Sequence, residues 1–143
     1  MAKFIVEGFH NTALEELTPH KSREIRKKVL WAGAKVIEKE EQSYIFDEHK
    51  VSGDLGRSVK QTDVHEDIDA CWVEVYPQGY DNRGVSNEMK TKIIVDGYYI
   101  TANGKSKRVK DNFVKKLRER MEPRILATME HQFGLCMEEL NNQ

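Results

Sequence analysis

The chain has 143 residues, 38% hydrophobic and 33% charged, enough for one modest core beneath an ion-dense surface. Its 23 Lys and Arg nearly cancel its 24 Asp and Glu, so neither a strongly basic nucleic-acid binder nor an acidic tail describes the chain as a whole. No stretch approaches the roughly 18 apolar residues that span a bilayer, and the first seven residues lack the apolar run of a signal peptide. These features predict one soluble domain over residues 1–143, made and kept in the cytoplasm.

Residues 3–9 alternate loosely, with Phe4 and Val6 on one side and Ile5 on the other, which predicts a short first strand. Asn11 and Thr12 can cap a short helix that Pro19 ends. Ser22 is a good N-cap for a long helix over residues 23–44, in which Ile25, Val29, Ala32 and Val36 form one stripe. Leu30, Gly33, Ile37 and Tyr44 widen that stripe. The opposite face carries Lys27, Lys35, Glu38 and, unexpectedly, Trp31.

Residues 47–57 read as a turn-rich link with two glycines. A strand over 58–62, an acidic turn over 63–69 and a second strand over 70–76 follow. In that second strand Trp72, Glu74 and Tyr76 alternate with Cys71, Val73 and Val75. Residues 77–87 read as a polar loop, 91–99 as a strand around Ile93, Ile94 and Val95, and 102–107 as a loop rich in glycine and lysine. Asp111 can cap a final helix bearing Phe113, Leu117 and Met121. Pro123 should kink or restart it before a second stripe of Ile125, Met129 and Phe133. The predicted fold is α+β: an antiparallel sheet with a long N-terminal helix and a kinked C-terminal helix packed on one face.

Catalytic and metal signatures are weak. Gly104-Lys105-Ser106 carries the last letters of a phosphate-binding loop without the upstream glycine and reads as a solvated hairpin turn. The five histidines are scattered, there is no Cys-x-x-Cys, and the cluster Asp63, Glu66, Asp67 and Asp69 lacks the calcium-loop pattern. Cys71 and Cys136 sit in apolar surroundings and read as small buried hydrophobes. The expectation is a protein that is not an enzyme and takes no cofactor and no metal.

Surfaces carry the stronger signals. Trp31 on a charged helix face, with Lys27 and Lys35 one turn to either side, suits a partner contact. Lys105, Lys107, Arg108, Lys110, Lys115, Lys116, Arg118 and Arg120 form a basic stretch, mixed with Asp111 and Glu119, that reads first as a solvated face. Tyr80 and Arg83 lie in the long polar loop, a common place for contacts.

The order of these features resembles the tail-completion, or head–tail joining, proteins of long-tailed bacteriophages. The resemblance rests on Phe4-Ile5-Val6-Glu7-Gly8-Phe9, on the alanine and glycine patch from Val29 to Val36, and on Ser52-Gly53-Asp54-Leu55-Gly56-Arg57-Ser58-Val59. Val95-Asp96-Gly97 and Asn112-Phe113-Val114-Lys115-Lys116-Leu117 are similar to later parts of the family pattern. Ser52 stands where the family has threonine, Leu117 replaces a usual alanine, and the family's proline before the Thr-Gly is replaced by His49-Lys50-Val51. The resemblance implies a cofactor-free subunit that forms a homo-oligomeric ring at the neck of the virion, between connector and tail-tube proteins, with DNA passing through without sequence-specific binding. A ring requires two different complementary surfaces on each subunit. The expected pair sets Trp31, Lys27 and Lys35 opposite the acidic turn at Glu66, Asp67 and Asp69, with Leu55, Arg57, Tyr80 and Arg83 as further contacts. The alternative is a small cytosolic nucleic-acid-binding module using residues 105–120.

Overall fold

The computed structural model describes residues 3–9, 11–49, 53–67 and 70–142. Strand β1 (Phe4–Glu7) pairs antiparallel with β4 (Cys71–Pro77) in the register Phe4–Val75 and Val6–Val73. Along the other side of β4 run β2 (Val59–Gln61) and, end to end with it, β3 (His65–Glu66). Between them the Thr62 N–H still donates to the Glu74 carbonyl at 2.8 Å. Strand alternation sorts the two faces. Phe4, Val6, Val59, Val73 and Val75 are buried, while Ile5, Trp72, Glu74 and Tyr76 look the other way.

Helix α2 (Pro19–Glu48) lies across the buried face. It starts four residues earlier than the sequence predicts, because Thr18, not Ser22, is its N-cap: the Thr18 hydroxyl accepts from Lys21 N at 3.3 Å. Pro19 occupies the first helical position, where its missing N–H has no intrahelical acceptor to lose. Ser22 is buried inside the helix. The helix also outruns residue 44 by a turn, since Ile45 continues the stripe and is buried.

Helix α5 (Phe113–Asn141) packs along α2. The two helices are in close contact at Gly33, where a Cβ would stand 2.9 Å from Met129 Cγ and Sδ. Buried Phe113, Leu117, Met121, Met129 and Cys136 mark the inner face of α5. The helix runs through Pro123 as one element and does not restart. Pro123 and Glu119, whose carbonyl loses its i+4 donor, both lie on the solvent side, where water can serve that carbonyl. The α+β architecture, with both long helices on one face of an antiparallel sheet, is as the sequence predicts.

Shorter elements fill the ends. Asn11 caps α1 (Thr12–Glu15) through a 3.0 Å bond from Ala13 N. The link after α2 contains a further helix, α3 (Asp54–Ser58), held close to α2 because Gly56 has no side chain. A Cβ there would sit 3.2 Å from the Gln42 carbonyl. The largest correction concerns residues 91–99. The β-branched run Ile93-Ile94-Val95 belongs to helix α4 (Asn87–Asp96), not to a strand. Ser86 caps it by accepting from Met89 N, Gly97 closes it at φ 104°, and Thr91 and Ile94 turn inward together. Capping at both ends outweighs strand propensity here.

The chain then forms a two-stranded hairpin, β5 (Tyr98–Ala102) and β6 (Lys105–Val109). The region read as a basic loop is therefore mostly strand. Its tip is Asn103 and Gly104, both at positive φ (54° and 73°), the two-residue turn whose twist matches paired strands.

Candidate interaction surface

The sequence-predicted contact residues fall into separate places. Trp31 is 41% exposed on the outer side of α2, and its carbonyl accepts from Gln61 Nε2 at 3.4 Å. Lys35 is exposed on the same side. Lys27, however, binds Glu66 within the chain at 2.8 Å. The lysine face and the acidic turn are thus neighbours in one molecule, joined by the short β3 strand, and not opposite surfaces. Asp67 is exposed, and Asp69 lies outside the described residues, as does Ser52 of the family-like motif.

Leu55 and Arg57 sit on α3. Leu55 packs against the core, while Arg57 pairs with Asp54 at the surface. The loop after β4 is built around Asp81. Its carboxylate receives Lys90 Nζ and the N–H groups of Val85 and Arg83, and these bonds hold it down to about 2. Tyr80, 74% exposed, and exposed Arg83 flank that rigid turn.

One polar cluster has a chemical look. Asp111, which the sequence suggests as a helix cap, makes no cap bond. The N-cap is Asn112, and Asp111 instead accepts from Tyr44 Oη at 2.6 Å and Lys116 Nζ at 3.0 Å, with His49 Nε2 at 2.8 Å. Partial burial opposes its charge, but the three partners prevail and keep the carboxyl below its usual range. Burial and the bond to Asp111 push the Tyr44 phenol upward. The rings of Tyr44 and His49 lie 5.5 and 6.3 Å from Phe113. This arrangement ties the end of α2 to the start of α5. Among the described residues no group of three or more His, Cys, Asp or Glu could hold a metal ion, and no helix is long and apolar enough to cross a membrane. Cys71 and Cys136 are both free thiols, half-buried and buried respectively.

Sequence reasoning placed a hairpin turn beside Gly104 but missed the two strands that it joins, β5 and β6, which form an exposed arm. Its base is fixed by Tyr98 against the core and by Arg108 Nη2 donating to the Asp96 carbonyl at 3.3 Å. Beyond that base both faces are open, with Tyr99 70% and Ile100 48% exposed. Residues 98–110 carry four cations and no carboxylate. The Asn103-Gly104 dipeptide was the available signal.

A second feature is a groove of about 550 Å3 between β1 and α5. Ile125, Leu126, Met121 and Met129 line its helical side, and Glu7, Glu122 and Glu130 stand around it with Arg118. Searches against family models, curated proteins and solved structures give no match to this chain.

Proposed function

We propose that the chain is a structural virion-assembly subunit of a tailed phage or prophage, joining or completing the tail at the neck as a ring of identical copies between connector and tail-tube proteins. The observation that supports this most is the free-standing hairpin. A two-stranded ribbon is marginally stable by itself in water. One that holds a tyrosine and an isoleucine out to solvent gains most from a partner's surface. The family-like motif from Gly53 to Val59 points the same way, as does Trp31 outside the core. Function in this reading lies in the outer surfaces of a rigid body.

The test is assembly. Purified protein, at rising concentration and with candidate connector and tail-tube partners, should give discrete rings by electron microscopy and sizing. Trp31→Ala should weaken that assembly while leaving the melting temperature within a few degrees. A chain that stays monomeric throughout would sink the proposal.

A second reading is favoured by one observation. Lys105, Lys107 and Lys110 have no ion-pair partner among the described residues, and a basic ribbon with an exposed tyrosine can lie along nucleic acid. Titration with DNA at two salt concentrations separates the readings. Tight binding that collapses with salt favours a nucleic-acid module, whereas weak, salt-insensitive binding favours assembly.

A further inference from the structure

Resting on the assembly reading above, we infer that the groove between β1 and α5 receives the β5–β6 hairpin of a second copy of this chain. Three observations carry it. First, β1 is an edge strand: among the described residues it pairs only with β4, so its outer edge has no strand partner, and Phe4, Ile5, Val6 and Glu7 line the groove. Strand β5, five residues against four, is likewise bonded on one side only. Each can complete the other's ladder by strand addition.

Second, the charges match. Lys105, Lys107 and Lys110 on the arm, and Glu7, Glu122 and Glu130 at the groove, have no ion-pair partners in their own chain among the described residues. Among the described residues Arg118 is the one cation lining the groove, so that lining is net acidic where the arm is purely basic.

Third, the apolar parts are complementary. Leu126, 54% exposed, and half-buried Ile125 present aliphatic surface beside the free strand edge. Ile100, on the hairpin face that it shares with Lys107, supplies the matching side chain. The arm and the groove are different surfaces, so the contact is head-to-tail and leaves one of each free for the next copy.

Complementation tests this. An arm-less variant, with residues 99–108 replaced by Gly-Ser, keeps the groove. A groove-reversed variant, Leu126→Lys with Glu130→Lys, keeps the arm and changes only exposed positions. Each alone should be monomeric, with association weakened roughly tenfold or more, and a one-to-one mixture should stop at a dimer. In a separate Cys71→Ser background, Ile100→Cys together with Leu126→Cys should form intermolecular disulfides under mild oxidation, which keeps the test valid should an arm-less chain fold poorly. Wild-type assembly without the mixed dimer or the cross-link would overturn the docking and leave the assembly reading intact. A wild type that never associates would overturn both.

Discussion

Two carboxylates in the helical half of the molecule show how environment decides what the same group does. Asp111 stands beside the start of α5 with a phenol, an imidazole and an ammonium around it, and it is held ionised. Glu41, on α2 between buried Ile37 and Ile45, is fully buried, and neither of its oxygens has a hydrogen-bond partner among the described residues. Desolvation pushes its carboxyl up to about 9, so it is a neutral acid at physiological pH. One group fastens two elements; the other occupies core space at a free-energy cost. The difference lies wholly in what surrounds each carboxyl.

The largest effect should come from removing the unpartnered acid. Glu41→Leu should stabilise the fold by on the order of a few kcal/mol at pH 8, read from urea melts. That gain should shrink toward pH 4, because the unfolded chain then also carries a protonated glutamate. The sign follows from linkage. A folded pKa raised above the unfolded value means that the folded state binds the extra proton, so stability is greatest below about 4.5 and is lost as pH rises toward about 9. Wild-type stability should therefore fall steadily across that window. A flat profile would mean that Glu41 has found a partner.

Next in size is the tie itself. Asp111→Ala leaves the Tyr44 hydroxyl and His49 without their acceptor and should destabilise by about 2–3 kcal/mol in thermal or urea unfolding. Its pH signature has the opposite sign. A lowered carboxyl stabilises above its unfolded value and loses that contribution as pH falls through the folded one, so the variant should lose part of the wild type's sensitivity to strong acid, the part that Asp81 supplies remaining. The smallest effect is expected at Gly33→Ala. The new methyl meets Met129 Cγ and Sδ at 2.9 Å, and repacking of that flexible side chain should hold the destabilisation to about 1 kcal/mol.

Much of the fold was legible because the signals are local. The alternation at β1 and β4 and the Asn11 cap each depend on a few adjacent residues, and each appears where the sequence predicts. Helix α4 was not, since Ile93-Ile94-Val95 taken alone favours a strand, and only the Ser86 cap and Gly97 decide otherwise. Pro19 alone reads as the end of one helix, whereas with Thr18 as N-cap it begins the next, and a proline carries both meanings equally well. Glu41 hides in plain phase. It falls four residues from both Ile37 and Ile45, but a charged letter at a core position looks like a surface residue until the burial is known. Asp111 needed the fold, because Tyr44 and His49 lie more than sixty positions away. The Lys27–Glu66 pair also needed it, and that pair places the two surfaces expected to meet between copies side by side within one.

Pro123 leaves a gap halfway along α5. With no amide proton at that position, the helix lacks one rung beside the same turn that carries Glu122, Ile125 and Leu126. Deuterium uptake should therefore divide α5 into two blocks with separate opening rates. A segment arriving beside that turn would meet the most pliable stretch of an otherwise stiff rod, able to bend a little toward the incoming chain.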